Sequence, residues 1–146
     1  MEKFLKEWKK VLEADLQYVV AELREEVEPP CVLFLEGKVG SGKTTFCRLF
    51  TDQKTLSPTY SILSEADQVL HADFYRLESA EEIVHLELGL YLEGKEYFLA
   101  EWGHRYMNSL LGEVPDHFRM YKLDFLTEES SSDSRHLKLY AIDPLL

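Results

Sequence analysis

A glycine-rich loop between an apolar strand and a helix constrains this chain more than any other feature of its sequence. Residues 37–44 read Gly-Lys-Val-Gly-Ser-Gly-Lys-Thr, which completes the Walker A pattern G-x-x-x-x-G-K-[ST]. Its glycines let the backbone curl until successive N–H groups point at one anion, and the helix that follows directs its positive end at the same point. The loop is therefore predicted to bind phosphate groups.

The residue types in the loop indicate how a nucleotide and its metal ion would be held. Lys43 is expected to place its charge at the β- and γ-phosphates, and the Thr44 hydroxyl is expected to hold Mg²⁺. The loop thus predicts a nucleotide site with a bound Mg²⁺. The residues predicted to contact the nucleotide here are Gly37, Val39, Gly40, Ser41, Gly42, Lys43, Thr44 and Thr45.

The surrounding sequence predicts an α/β domain of the P-loop NTPase type. Residues 32–35 are a short apolar run typical of a buried strand, and residues 44–50 continue as a helix with its aromatic side chains turned inward. Residues 119–126 and 136–142 flank a segment rich in Glu, Ser and Asp, which predicts a C-terminal β-hairpin over 119–142. Strands that alternate with helices and end in a hairpin favour a mixed β-sheet flanked by helices.

Residues 2–27 are predicted to form one long amphipathic helix that packs on the sheet or, alternatively, binds a partner. Their apolar residues recur at spacings of three and four, namely Leu5, Trp8, Leu12, Leu16, Val19, Leu23 and Val27. Pro29 and Pro30 end the helix, because proline lacks a backbone donor and restricts the residue before it. The whole chain, residues 1–146, is predicted to be a single domain.

The charge balance limits the partners that this chain can bind by itself. Its formal net charge is −11, so its general surface is not expected to bind nucleic acid, which needs basic side chains. The two cysteines form no C-x-x-C pair, and no apolar run approaches the ~20 residues that cross a bilayer. The charged N-terminus does not resemble a signal peptide. A cytoplasmic location without membrane contact is expected.

Two carboxylates are placed where a P-loop enzyme needs them. Asp73 follows residues 69–72 (Val-Leu-His-Ala), and Glu101 follows residues 97–100 (Tyr-Phe-Leu-Ala), so each is predicted to end a largely apolar strand. One of them is expected to hold Mg²⁺, and the other is expected to orient or deprotonate the attacking water. The residues alone leave open which carboxylate has which role. The five histidines are scattered, without the spacing of metal ligands.

Three further segments resemble motifs of the TsaE family, also called the YjeE family. These are bacterial P-loop ATPases needed to make threonylcarbamoyladenosine in tRNA. Residues 57–60 (Ser-Pro-Thr-Tyr) resemble its switch-like segment, and residues 71–77 (His-Ala-Asp-Phe-Tyr-Arg-Leu) resemble its H-x-D-x-Y-R-L signature. Residues 101–103 (Glu-Trp-Gly) resemble its E-W-P/G motif. The resemblance extends over residues 5–142.

The resemblance implies a role for each matching position. Thr59 would lie near the γ-phosphate, Asp73 would be the catalytic acid, and Glu101 would be the Walker B-type carboxylate that holds Mg²⁺. Trp102 would sit close to the nucleotide. The family often has an acid two residues after this Trp, whereas His104 occupies that position here. The resemblance also implies ATP as the nucleotide, TsaB and TsaD as partner proteins, and contact with tRNA only through their complex.

Other functions for a P-loop domain fit the sequence less well. A small-molecule kinase usually has an arginine-rich lid, but the arginines of this chain are dispersed. A GTPase would need an N-K-x-D motif, and Asn108, the only asparagine, is followed by Ser109 and Leu110. A nucleotide-gated binding module, whose bound state rather than turnover is the function, stays open.

Overall fold

The strands of this protein form one mixed sheet. A computed structural model describes residues 1–51, 57–58, 62–128 and 131–143, and within these the sheet has eight strands. The strands are β1 (Glu2–Leu12), β2 (Cys31–Gly37), β3 (Ser57–Pro58), β4 (Leu63–Ala66), β5 (Val69–Asp73), β6 (Tyr97–Glu101), β7 (Arg119–Glu128) and β8 (Ser131–Ile142). Their spatial order is β1-β8-β7-β2-β6-β5-β4-β3.

The centre of the sheet is parallel and both of its sides are antiparallel. Strand β2 is parallel to β7 on one side and to β6 on the other, and β6 is parallel to β5. Strands β8 and β1 extend one side, and β4 and β3 extend the other, by antiparallel pairing. The mixed sheet predicted from the sequence is therefore confirmed.

Helices cover both faces of the sheet. They are α1 (Leu16–Glu26), α2 (Lys43–Phe50), α3 (Glu81–His85), α4 (Leu88–Leu92) and α5 (Met107–Leu111). Strand β2 contributes Leu33 and Leu35 to a core shared with α1 and α2, and it contributes Val32 and Phe34 to a second core shared with α3, α4 and α5. A strand buried on both faces has a continuous apolar sequence, as residues 32–35 do.

The prediction of one helix over residues 2–27 is wrong for its first half. Residues 2–12 form β1, which pairs with β8, and only Leu16–Glu26 is an α-helix. The register of β1 shifts between Phe4 and Lys6 and again between Trp8 and Val11. Each bulge adds one residue, so Leu5, Trp8 and Val11 all pack on the same core at a spacing of three. A strand with two bulges can therefore show the three-residue spacing of apolar residues that is typical of a helix.

The C-terminal hairpin is confirmed, and its strands are longer than predicted. Strand β7 pairs with β8 from Met120 opposite Ile142 to Glu128 opposite Ser131, so pairing extends into the segment expected to be a loop. Because β1 adds to β8 and β7 pairs with β2, the hairpin is an integral part of a single α/β domain. In the part of the chain described here, no helix has the length and apolar character needed to cross a bilayer.

Candidate functional site

A cleft opens where the central parallel strands end. Strands β2, β5 and β6 run in the same direction, so their carboxyl ends meet at one edge of the sheet. The cleft has a volume of about 810 Å³ and is lined by the Walker loop, the start of α2 and residues at the ends of β5 and β6. Most of the predicted loop contacts line it: Val39, Gly40, Gly42, Lys43, Thr44 and Thr45.

Two glycines of the loop are required by its geometry. A Cβ atom at Gly37 would lie 2.6 Å from the carbonyl oxygen of Phe125, so β7 leaves no room for a side chain there. Gly42 has a φ of 108°, in the left-handed region, and α2 begins at the next residue. Ser41 is buried inside the loop and, like Gly37, does not line the cleft.

Lys43 is held inside the loop as a buried cation. Its residue is only 5% exposed, and its Nζ donates hydrogen bonds to the carbonyl oxygens of Gly37 and Lys38. Burial lowers the pKa of Lys43, and the nearby Glu101 opposes this shift. Neutral carbonyl groups compensate a cation only in part, so the ammonium group retains the capacity to bind an anion in the cleft.

The two predicted carboxylates lie side by side at the cleft. Asp73 and Glu101 are paired in register at the ends of β5 and β6. Glu101 is buried, and its Oε1 lies 3.5 Å from the Thr44 hydroxyl oxygen while its Oε2 lies 2.6 Å from His71 Nε2. Asp73 is exposed and accepts a hydrogen bond from the Tyr75 backbone N–H. The tertiary structure thus brings together both carboxylates and the loop hydroxyl.

These donors fit Mg²⁺ and a nucleotide phosphate. Mg²⁺ prefers hard oxygen ligands, usually one or two carboxylates together with hydroxyl, phosphate and water oxygens. Thr44 Oγ1 and Glu101 Oε1 are a matching pair of hard oxygens beside the loop. The buried ammonium group of Lys43 supplies the positive charge that a phosphate requires.

Trp102 covers the loop lysine. The centroid of its indole ring lies 3.8 Å from Lys43 Nζ, a cation–π contact, and the ring also contacts Tyr75, with ring centroids 5.1 Å apart. The Trp102 backbone has a φ of 62°, which is uncommon for a bulky residue and turns the chain sharply after β6. A residue held in such a conformation beside a cleft fits a functional position.

Four further residues lie within or beside the sequence motifs. Thr59 lies outside the described residues. Arg76 is exposed and lines the cleft. His104 Nε2 lies 3.4 Å from Glu2 Oε2, and its ring meets the edge of Phe34. Thr45 Oγ1 lies 3.5 Å from a Glu13 carboxylate oxygen, so the turn before α1 also borders the site.

Arg135 also lines the cleft, although no sequence motif pointed to it. It lies on β8, yet it reaches the cleft beside Gly42, where a Cβ would be 3.5 Å from its Nη1. The residue is 9% exposed, and its Nε and Nη1 are buried without a hydrogen-bond partner in the described structure. A buried cation with unused donors at a phosphate-type loop is a candidate anion ligand. No local motif marks it, because it comes from the hairpin.

Glu36 adds an unusual carboxyl group behind the loop. Burial raises the pKa of Glu36 to about 7, with Asp124 adding to the shift and Lys43 opposing it. Its Oε2 is buried without a hydrogen-bond partner among the described residues. The carboxyl group therefore changes charge near neutral pH, close to the lysine of the loop.

Comparison with known proteins agrees with the motifs and the fold. Residues 11–137 match the sequence model of the family described as threonylcarbamoyl adenosine biosynthesis protein TsaE. A Bacillus subtilis protein named tRNA threonylcarbamoyladenosine biosynthesis protein TsaE is 33% identical over 126 residues, covering 79% of this chain and 72% of that protein. A Haemophilus influenzae protein of the same name is 26% identical over 128 residues, covering 82% and 75%.

A solved structure supports the same fold. The crystal structure of Bacillus subtilis YdiB aligns with a TM-score of 0.62 at 24% identity, covering 98% of this chain and 88% of that one. The family match spans the Walker loop, both strand-end carboxylates and Arg135. This chain belongs to the TsaE family.

Proposed function

We propose that this chain binds ATP with Mg²⁺ and hydrolyses the ATP in support of threonylcarbamoyladenosine modification of tRNA. The observation that carries the proposal is the meeting of Lys43, Thr44, Asp73 and Glu101 at one cleft. These residues supply a cation for phosphate, a hydroxyl and a carboxylate for the metal, and a second carboxylate for water. The link to tRNA modification comes from family membership.

The proposal assigns tasks to the loop, to both carboxylates and to His71. The loop N–H groups and Lys43 bind the phosphates, and Thr44 and Glu101 hold Mg²⁺, which neutralises phosphate charge when bound. His71 positions Glu101 through the 2.6 Å contact with its Oε2 and leaves Oε1 directed at Thr44. Asp73 orients the attacking water and accepts its proton.

Partner proteins complete the proposed activity. TsaB and TsaD are the expected partners, and the chain acts in the cytoplasm as part of their complex. The net charge of −11 supports indirect contact with tRNA, because a basic partner surface would have to bind the nucleic acid. The partners are expected to stimulate hydrolysis by closing the cleft, as P-loop enzymes gain rate when a second chain completes the charged site.

Phosphate release tests this proposal. The isolated chain should hydrolyse ATP slowly, and purified TsaB and TsaD should raise the rate. Lys43→Ala should weaken ATP binding by about 10- to 150-fold and lower both rates at limiting ATP, because a charge-assisted phosphate contact contributes about 1.5–3 kcal/mol. Lys38→Ala is the matched control, since Lys38 is an exposed lysine of the same loop and should leave the rate unchanged. Equal rates for Lys43→Ala and the parent would exclude this loop as the site.

Asp73→Asn separates hydrolysis from binding. The substitution keeps the size of the side chain and removes the charge that would accept a proton. ATP affinity should stay near that of the parent, while the single-turnover hydrolysis rate should fall by about 10²-fold or more. An unchanged rate would remove Asp73 from the chemistry.

A nucleotide-gated module without essential turnover is the alternative function. The contacts of Trp102 with Lys43 and with Tyr75 favour it, because a phosphate at Lys43 would compete with the indole ring and shift both aromatic residues. The reconstituted modification reaction distinguishes the two. A non-hydrolysable ATP analogue should support no repeated cycles if turnover is needed, and it should support them fully if the bound state is sufficient.

A further inference from the structure

Three potential metal ligands meet beneath the Walker loop. Cys47 comes from α2, His71 from β5 and Glu101 from the end of β6, and one ligand atom of each lies within 4.8 Å of the other two. Cys47 is 1% exposed, and the His71 and Glu101 side chains are 12% and 4% exposed. The cluster is therefore nearly closed to solvent and adjoins the cleft through Glu101.

The ligand types favour a soft divalent metal over Mg²⁺. Thiolate and imidazole with one carboxylate are ligands typical of Zn²⁺ and related transition metals, whereas Mg²⁺ takes oxygen ligands. A thiolate, a carboxylate and a neutral imidazole would also balance the two charges of the metal in this buried place. Three protein ligands leave one tetrahedral position open for water.

We propose that Cys47, His71 and Glu101 form a binding site for a soft divalent transition metal, with Zn²⁺ as the best fit. On binding, the thiol of Cys47 releases its proton to solvent, and His71 Nε2 and Glu101 Oε2 exchange their mutual contact for bonds to the metal. That contact of 2.6 Å must widen to about 3.3 Å, the spacing set by tetrahedral metal bonds of about 2.0–2.1 Å. The required movement is within the range of side-chain rotation.

The site would interfere with Mg²⁺ because the two sites share one carboxylate. Glu101 faces His71 through Oε2 and Thr44 through Oε1, so a metal on Oε2 would draw charge away from Oε1. Two divalent ions on one carboxylate would lie about 3.5–4 Å apart and repel each other. Bound Zn²⁺ should therefore raise the Mg²⁺ concentration needed for nucleotide binding. This consequence rests on the proposed function, whereas the metal site itself does not.

Cobalt spectroscopy on the nucleotide-free chain tests the site directly. Co²⁺ should bind with one equivalent and produce a sulfur-to-cobalt charge-transfer band together with the strong visible bands of a tetrahedral ion, and Zn²⁺ should displace it. Cys47→Ser should lose the charge-transfer band, because that band comes from the cysteine sulfur. His71→Gln should lose the strong visible bands of the tetrahedral ion. Cys31→Ser is the matched control, because Cys31 is the other buried cysteine and lies outside the cluster. That variant should retain the parent spectrum.

The outcomes separate this proposal from the proposed function. A folded parent without a charge-transfer band, or a band that survives Cys47→Ser or disappears in Cys31→Ser, would overturn the metal site. If circular dichroism shows that Cys47→Ser does not fold, Cys47→Ala replaces it. The charge-transfer band should then be absent from the folded Cys47→Ala variant. Normal ATP hydrolysis without a cobalt band refutes only the metal site, and a cobalt band without ATP hydrolysis refutes only the ATPase proposal.

Discussion

Replacing Arg135 with methionine should weaken ATP binding and leave the fold as stable as before, or more so. The guanidinium group is buried, and two of its nitrogen atoms have no hydrogen-bond partner among the described residues. A buried cation whose donors lack partners costs free energy in the protein without nucleotide, and that cost is offset when an anion enters the cleft. Methionine keeps the apolar stem that packs beside Gly42 and removes the charge.

The substitution should weaken ATP binding and maintain or raise the free energy of unfolding, and both changes can be estimated. A charge-assisted hydrogen bond contributes about 1.5–3 kcal/mol, which corresponds to an increase in Kd for ATP of about 10- to 150-fold. Removing buried donors that lack partners should leave the free energy of unfolding unchanged or raise it by about 1 kcal/mol. A residue that only packs the core would instead lower the free energy of unfolding and leave nucleotide affinity in the folded protein unchanged.

Calorimetry with ATP and Mg²⁺ measures the first effect, and urea denaturation without nucleotide measures the second. Arg119→Met is the matched control, because Arg119 lies on the same hairpin with an exposed side chain paired to Glu28. It should alter neither quantity by more than about 0.5 kcal/mol. An unchanged Kd in folded Arg135→Met would refute the argument, and so would a loss of stability beyond about 2 kcal/mol, which would mean that the guanidinium group is satisfied.

Three further predictions concern the cleft and the carboxyl group behind its loop. Glu101→Gln should require more Mg²⁺ for ATP binding, measured by titrating Mg²⁺ at constant nucleotide, and an unchanged requirement would assign the metal elsewhere. In a Trp8→Phe variant, the emission of Trp102 should change when ATP and Mg²⁺ reach Lys43, and a flat signal at saturation would reduce Trp102 to a packing role. Because burial raises the pKa of Glu36 to about 7, the folded state favours its protonated form, and stability falls as pH rises from 4.5 through 7. Glu36→Gln should therefore be more stable than the parent by about 1 to 2 kcal/mol at pH 8 and equally stable near pH 4.5. Urea denaturation at both pH values measures this difference in stability. A difference independent of pH would refute the titration of Glu36.

Local sequence patterns predict the structure of a segment when the residues within that segment specify its backbone conformation. The Walker loop, the strand before it and the helix after it are marked by glycine, by an apolar run and by their order along the chain. The same holds for Tyr97–Glu101, which is buried on both faces and ends in the predicted acid. Backbone conformation at these positions depends on neighbours within a few residues, so the sequence predicts it directly.

The N-terminal strand shows where local patterns become ambiguous. Apolar residues at a spacing of three are typical of a helix, but two β-bulges produce the same spacing in Glu2–Leu12. What decides between them is the free edge of β8, to which this segment adds as a strand. That partner lies more than 100 residues away along the chain, as Glu2 opposite Ile142 illustrates.

The sequence by itself determined the Walker loop, the family motifs and the two strand-end carboxylates, because each depends on residues that are adjacent in the chain. Only the tertiary structure decided which distant side chains lie close to them. Arg135 reaches the loop from the hairpin, and Cys47 and His71 meet Glu101 from separate elements. Their distances follow from strand order and register, which arise from burial of two apolar faces and not from the spacing of residues in the sequence.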